Sequence, residues 1–593
     1  MKKTGEGMFV LFIFFMFCFL CAFGHPCERQ CDDGSEPLKC HYKFTLHASV
    51  IDCDHCQRNA TCGGGSCEFS RKLALTINKK SPGPTIKVCK GDQIVVDVVN
   101  RLPGSFETSI HWHGVLQTGT PYYDGVPKVT QCPLTPGSSF RYSFSAENPG
   151  THFYYASSVS QHADGIYGAL IVNEPQKYKH EELLLIGTRN YALLSGAYGA
   201  VQGALVGLNR PIAKIVLNGK AVHEKLDEFD VTEGETVFRV INAAAFDCPV
   251  EMTLENHVFK VLNVQGADIL PIYVKKLTIY PGERYDMQIF LSGEPCKYCQ
   301  MQISGLHKCG QLEKLKTIVR PAETREIINK KPFKTLSANC TEDSNNYCSA
   351  QLESPDSPNF EFIPDLTFFL SFGLNKVSQV SVDDVEFRFV LNDIEYYPTF
   401  LDSGDEDPTL APQINTVSFR PPSTPILTQY EDRNEATECE TYANLVPSAA
   451  NRPPTTCKSA PYFCECAHFI RAGVNATVKL VFKHDGISNE AVAFHMHGHK
   501  LYVANWQQAG REGKSNQRPI CRDTIVVPPA GEVTAFFKAD NPGFWLLESR
   551  AGHITSAGVG MALIVQVGTP KDIPSPPTGF PTCRGLKPDD FIF

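Results

Sequence analysis

Beyond residue 23 the chain has no second long apolar segment, and nowhere does it carry a block of basic residues. The first absence leaves no candidate membrane anchor within the body of the chain. The second, with a formal net charge of −9, argues against nucleic acid or an anionic membrane as the main partner. The C-terminus, GLKPDDFIF, also lacks the apolar tail of a lipid-anchor signal. The acidic stretch LDSGDEDP (Leu401 to Pro408) reads as a solvated loop. The one apolar run, Phe9 to Phe23, follows Lys2 and Lys3 and ends beside the small residues Ala22 and Gly24. It is too short to span a bilayer comfortably, so residues 1–24 are read as a secretory signal peptide; the alternative is an uncleaved anchor.

Cysteine usage agrees with export. Of the 23 cysteines, Cys18 and Cys21 leave with the signal peptide, and seven of the rest crowd into Cys27 to Cys67. Residues 25–67 are therefore expected to form a disulfide-rich N-terminal module, with a zinc site as the alternative reading. The odd number that remains implies a free or intermolecular thiol. Asn59, Asn339 and Asn475 each open an N-x-T glycosylation acceptor.

The body reads as all-β. Short runs rich in Val, Ile, Phe and Tyr alternate with Gly, Pro, Asn and Asp, as in TIKVCKGDQIVVDVVNRLPG and KKLTIYPGERYDMQIFLSG, a pattern of β-sandwiches. An internal repeat sharpens this. FSAENPGTHFYYASSVSQHADGIYGALIV (Phe144 to Val172) aligns without a gap with FKADNPGFWLLESRAGHITSAGVGMALIV (Phe537 to Val565), and KGDQIVVDVVNRL has a weaker echo in TEGETVFRVINAA. Three units are expected, at 68–175, 176–325 and 385–568, the first and last being copies of one fold. The weakly patterned stretch from about Pro321 to Pro364 places a connection at 326–384, and 569–593 is a tail.

Two motifs carry metal chemistry. His111-Trp112-His113 and His495-Met496-His497 each space two imidazoles at i, i+2, which on a strand puts both on one face. Taken singly, either pair could be structural. One in each repeat copy, each beside a glycine, is a stronger signal.

With NKKSPGPTIKVCKGD, SIHWHGVLQTGTPYYDGVPKVTQCPL, HADGIYGALIV, FHMHGHKLYV and DNPGFWLL, the chain resembles the multicopper oxidases, in particular the laccase-like type of insects, over nearly its whole mature length. The resemblance implies three cupredoxin-like β-sandwich domains holding four coppers: a type 1 ion in the third and a trinuclear cluster between the first and third. Ten histidines and a cysteine are the family's main ligands. His111 and His495 match the type 2 pair, and His113 and His497 match two type 3 ligands. The other family positions hold Tyr155, Ser157, Val492, Glu548, Ser549 (for the cysteine), Arg550 and Ile554; His553 is one place off. Met561 stands 12 residues after Ser549, two beyond the usual axial spacing. His162 and His499 are read as ordinary polar neighbours.

Strand alternation sends Glu548 and Arg550 toward the cluster position and Ser549 toward the type 1 position. A serine hydroxyl neither binds a blue copper nor conducts electrons as a thiolate does. The Arg550 guanidinium opposes a metal and is expected to pair with Glu548; the alternative turns Glu548 toward a residual ion. The expected function is a secreted, non-catalytic binding or structural protein, a pseudoenzyme of the family, whose partner is an unknown protein or small molecule. The alternative uses the four histidines for a single copper or zinc ion, and the full four-copper complement is not expected. An active laccase oxidising diphenols would need a new electron path.

Overall fold

The structure is a computed structural model that describes residues 27–583, apart from 33, 35, 53–70, 105, 176, 191–212, 223, 292–295, 307–308, 310–313, 323–332, 339–345, 357–360, 377–388, 392–393, 397–409, 446–463, 486–489, 509–513 and 550–560. It is built of strands. Among the described residues the α-helix Val159–Ala163 stands alone beside a few single 3-10 turns, and no helix is long and apolar enough to cross a membrane. The expected all-β architecture of three sandwiches with disulfides near the N-terminus is what the chain adopts, except that Lys39–Asp52, expected in a separate module at 25–67, is a strand of the first sandwich because its alternating apolar residues are buried in that core.

The first sandwich has two four-stranded sheets. One runs Arg71–Ile77, Lys39–Asp52, Gln93–Arg101, Ser139–Ser145; the other runs Ile86–Cys89, Tyr167–Asn173, Gly150–Ala156, Ile110–His113. Cys40, Tyr42, Phe44 and Leu46 alternate inward along one strand and meet Ile94, Val96 and Val98 around Trp112 and Tyr154. Disulfides Cys27–Cys40 and Cys31–Cys89 fasten the opening to this sandwich. The cysteines from Cys53 to Cys67 and the signal segment lie outside the described residues. Cys521, on the short strand Cys521–Arg522, is a free cysteine.

The second unit is a 12-stranded sheet and the third a 14-stranded one, each folded over its own core. Between them the expected connection is more structured than its composition suggests. Lys334–Ser337 and Asn346–Cys348 extend the second sheet, and Leu366–Lys376 lies inside the third, parallel to Thr477–His484. The reason is the period-two run of Phe368, Leu370 and Phe372, which the third core buries.

The units meet around one point. Val126 and Val129 of the first sandwich pack among Phe469, Phe544, Leu546 and Ile564 of the third, and Cys132–Cys583 ties the tail back to the first. From the second unit, the Gln265 side chain accepts from the Asp523 and Thr524 amides and donates to the Thr524 carbonyl.

Candidate metal site between the first and third sandwiches

Both H-x-H motifs lie where alternation divides a strand between a core and an interface. On Ile110–His113, Ile110 and Trp112 enter the first core while His111 and His113 face the third unit. On Val492–Met496, Val492, Phe494 and Met496 enter the third core, and His495 faces out, with His497 just past the strand end. All four histidines are buried, between 0 and 3% exposed. The chain turns away at once after each motif, through Gly114 and Gly498, both at positive φ. At Gly114 a Cβ would lie 2.2 Å from His152 Nδ1, so no side chain fits there.

The four rings come together. His111 stacks on His497 with centroids 3.8 Å apart, and His113 stacks on His495 at 3.6 Å, its other face lying against Phe153 at 4.4 Å. Hydrogen bonds fix which nitrogens carry protons. His111 Nδ1 donates to the Asp124 carbonyl (2.8 Å) and His495 Nδ1 to the Asp523 carbonyl (3.0 Å). Each therefore presents an Nε2 lone pair, and these face one another at 3.3 Å. Two lone pairs at that distance repel unless a cation lies between them.

The other two rings are spoken for. His113 Nε2 reaches Thr524 Oγ1 (3.0 Å) and Asp523 Oδ1 (3.2 Å), which makes it the donor, and Nδ1 accepts from the Tyr155 hydroxyl (3.3 Å). His497 Nδ1 donates to Asp124 Oδ2 (2.8 Å), and its Nε2 looks toward Glu548 Oε1 at 3.8 Å. Burial alone would lower His497, but the Asp124 and Glu548 carboxylates outweigh it and push it up to about 9, so the ring is cationic at neutral pH. Burial pushes His495 down to about 3 and lowers His111 and His113 as well.

Two buried carboxylates organise the site. Asp124 holds His497 and approaches His111 Nδ1 at 3.3 Å; burial opposes its ionisation, but the two imidazoles hold it below the usual range. Asp523 receives both Arg284 nitrogens at 2.6 Å, and Arg284 is fully buried and also donates to the Thr151 and Gly282 carbonyls. Sequence reasoning missed Asp124, Asp523 and Arg284. Their only trace was a charge set among apolar neighbours, in YYDGV, CRDTIVV and GERYDMQIF.

The positions where the resemblance asks for further ligands are filled otherwise. Tyr155 lies opposite His111 in register and stacks on His162 at 4.6 Å. The Ser157 hydroxyl donates to the Gly125 carbonyl (2.6 Å). Val492 packs with Trp545, Leu547 and Met561 in the third core. Ser549 lies opposite Phe494, on the core side of Gly543–Ser549, and its amide donates to the Met561 carbonyl (2.9 Å). Glu548 lies on the interface side, opposite His495. The expected parity of Glu548 and Ser549 is thus what the strand displays, whereas Arg550, His553 and Ile554 lie outside the described residues. His162 bonds to the Ala243 carbonyl (2.7 Å), and His499 is packed between Phe537 and Trp545.

Multicopper oxidase family patterns match residues 64–177, 196–317 and 419–569. L-ascorbate oxidase of Cucurbita maxima is 25% identical over 602 residues, covering 95% of this chain and 94% of its own. Laccase-6 of Arabidopsis thaliana is 26% identical over 546 residues, covering 86% and 91%. Among solved structures, Fet3p, a multicopper oxidase that functions in iron import, aligns with a TM-score of 0.65 at 18% identity over 90% of this chain and 91% of that one. The laccase from Botrytis aclada aligns at 0.62 and 20% identity over 91% and 89%. At such identities these structures speak to the fold.

Proposed function

Because the chain belongs to the multicopper oxidase family, we propose that it is a non-catalytic member, a pseudoenzyme that acts by binding a protein or small-molecule partner or in a structural role. The family implies copper, and the fit of copper to these residues divides into two cases. A blue copper needs nitrogen and thiolate donors, and the side where it would lie offers Val492, Ser549 and Met561 among Trp545 and Leu547. That face is the single observation that carries the proposal. The cluster side does not fit three ions either: Tyr155, Ser157 and Glu548 replace imidazoles, and His113 has both nitrogens engaged. The four-copper complement does not fit.

Secretion belongs to the same reading. It is supported by the apolar run behind Lys2 and Lys3 and by disulfides such as Cys31–Cys89 and Cys132–Cys583, which persist in an oxidising compartment. Of the three glycosylation acceptors, Asn475 lies exposed in the turn between Cys464–Ala472 and Thr477–His484; the other two fall outside the described residues.

The deciding experiment is a diphenol oxidation assay on copper-loaded protein, read as oxygen consumption and as absorption in the blue-copper region. The expected result is no turnover above free copper and no intense blue band; turnover refutes the proposal.

A second reading has its own observation, the facing Nε2 atoms of His111 and His495. Those two, and not all four histidines, offer lone pairs to one copper or zinc ion. Replacing both with alanine is then expected to abolish metal uptake and leave secretion largely intact. A wild-type protein that takes up no metal at neutral pH ends this second reading.

A further inference from the structure

One cysteine pair stands apart from the rest. The other described disulfides with both partners placed join residues 13, 27, 58, 61 and 451 apart in sequence, and so restrict the unfolded chain over long loops. Cys296 and Cys299 are 3 apart, and their bond closes a loop too small to restrict much. This disulfide has little to do for stability.

Its surroundings are those of a reactive group. The His257 ring, in the turn between Val250–Leu254 and Val258–Val264, sets Nε2 3.1 Å from Cys296 Sγ. The ring nitrogen and both sulfurs lie within 4.8 Å of one another, so the imidazole that touches Cys296 Sγ is also a near neighbour of Cys299 Sγ. The pair is also asymmetric. Cys299, which opens the strand Cys299–Gly305, is fully buried, whereas Cys296 is half-buried at the edge of the second core, the more exposed of the two to an incoming thiol. Between them Tyr298 is 56% exposed, with the Lys297 ammonium 5.5 Å from its ring centroid, an apolar and cationic contact beside the attackable sulfur. The turn holding His257 is fixed to the strand by hydrogen bonds from the Glu255 amide to the Gln300 carbonyl (2.9 Å) and from the Gln300 amide to Glu255 Oε2 (3.2 Å).

We propose that Cys296, Cys299 and His257 form a thiol–disulfide exchange site that accepts two electrons from a dithiol substrate. The first thiol gives its proton to His257, and its sulfur bonds to Cys296 Sγ. The Cys296–Cys299 bond breaks, and Cys299 Sγ leaves with the bonding pair and takes a proton from His257. The second thiol of the same substrate, deprotonated by the same ring, attacks its own sulfur in the mixed disulfide. Cys296 then leaves as a thiolate and is protonated. The substrate ends as a disulfide and the cysteine pair as two thiols, with two electrons and two protons transferred. None of this draws on the interface histidines, so it holds whether or not the protein binds metal.

The test uses the purified full-length chain, dithiothreitol as the dithiol and differential alkylation read by peptide mass spectrometry. Cys296–Cys299 is expected to open about tenfold or more faster than the other described pairs. His257→Gln is expected to slow that opening by about tenfold at neutral pH, in the range of a lost acid–base group, while the other pairs react as before. If His257→Gln fails to fold, Cys299→Ser decides: offered glutathione disulfide, Cys296 should form the mixed disulfide faster than Cys521 does. A pair that opens no faster than its neighbours, a His257→Gln protein with an unchanged rate, or a Cys299→Ser protein in which Cys296 is not captured overturns the proposal.

Discussion

The strands Val492–Met496 and Gly543–Ser549 have two faces of opposite character. Toward the interface they carry His495 and Glu548, with His497 beyond, in a network of carboxylates and imidazoles. Toward the core they carry Val492, Phe494, Met496, Trp545 and Leu547, with Ser549 at the end. Backbone pairing is the same for both faces, since it is one ladder. An apolar face keeps its fold without any metal ligand, because packing alone stabilises it. A buried polar face keeps its fold only if its charges stay paired, and on this face imidazoles and carboxylates hold one another. A ligand can be lost from the first face at little cost and from the second only with compensation.

The sharpest way to break this contrast is to unpair a charge on the polar side. Asp523→Ala leaves the fully buried Arg284 without its carboxylate, and the expected loss is about 3–5 kcal/mol in denaturant unfolding. A loss below about 1 kcal/mol would mean that the network does not hold the interface.

Next is the reverse substitution on the apolar side. Val492→His places an imidazole among Phe494, Trp545, Leu547 and Met561 of the third core, at an expected cost of about 1–3 kcal/mol without any gain of blue absorption. A variant as stable as wild type would show that the core still has room for a ligand.

A pH series on metal-free protein sharpens the polar side. His497 is raised to about 9 in the fold, so the stability it contributes is full below its unfolded value, about 6.5, and is lost as pH rises through about 9. His495 is pushed down to about 3 and stays neutral when folded. Unfolding then takes up a proton below about 6.5, and stability falls as pH drops from there. The expected profile is a maximum near pH 6.5 with a decline on both sides. Asp124→Asn should remove the alkaline decline, since it takes away the strongest attraction on His497. Urea unfolding across pH 5 to 9 reads both slopes; a flat profile contradicts the assignment.

The smallest expected effect is Ser549→Cys, within about 1 kcal/mol of wild type, since a thiol is a small hydrophobe facing a core. Its absorption spectrum after copper loading should stay without a blue band, because Val492 and Ile554 occupy the positions that the family gives to the type 1 histidines.

Much of this was legible in the sequence because it depends on strand parity. The i, i+2 spacing placed His111 with His113 and His495 with His497, the internal repeat brought the two pairs together, and alternation separated Glu548 from Ser549. What governs the site's chemistry was not legible. Asp124, Asp523 and Arg284 come from three segments far apart in sequence, and only long-range packing makes them neighbours. The equivalence of the four histidines likewise dissolved once their partners were in view: His111 and His495 turn Nε2 lone pairs toward each other, His113 has both nitrogens engaged by Thr524 and Tyr155, and His497 sits between two carboxylates that favour its protonated form. The strand Leu366–Lys376 was hidden inside a stretch whose Asn, Ser, Asp and Pro content suggested a linker.

The most direct measurement is metal stoichiometry by mass spectrometry after reconstitution with copper and, separately, zinc at neutral pH. With Val492, Ser549 and Met561 on the type 1 side and the Nε2 lone pairs of His111 and His495 turned toward each other, no more than one ion per chain is expected. Three or more coppers bound at the interface of the first and third sandwiches would contradict the reading of Tyr155, Ser157, Val492, Glu548 and Ser549 as positions that no longer serve copper.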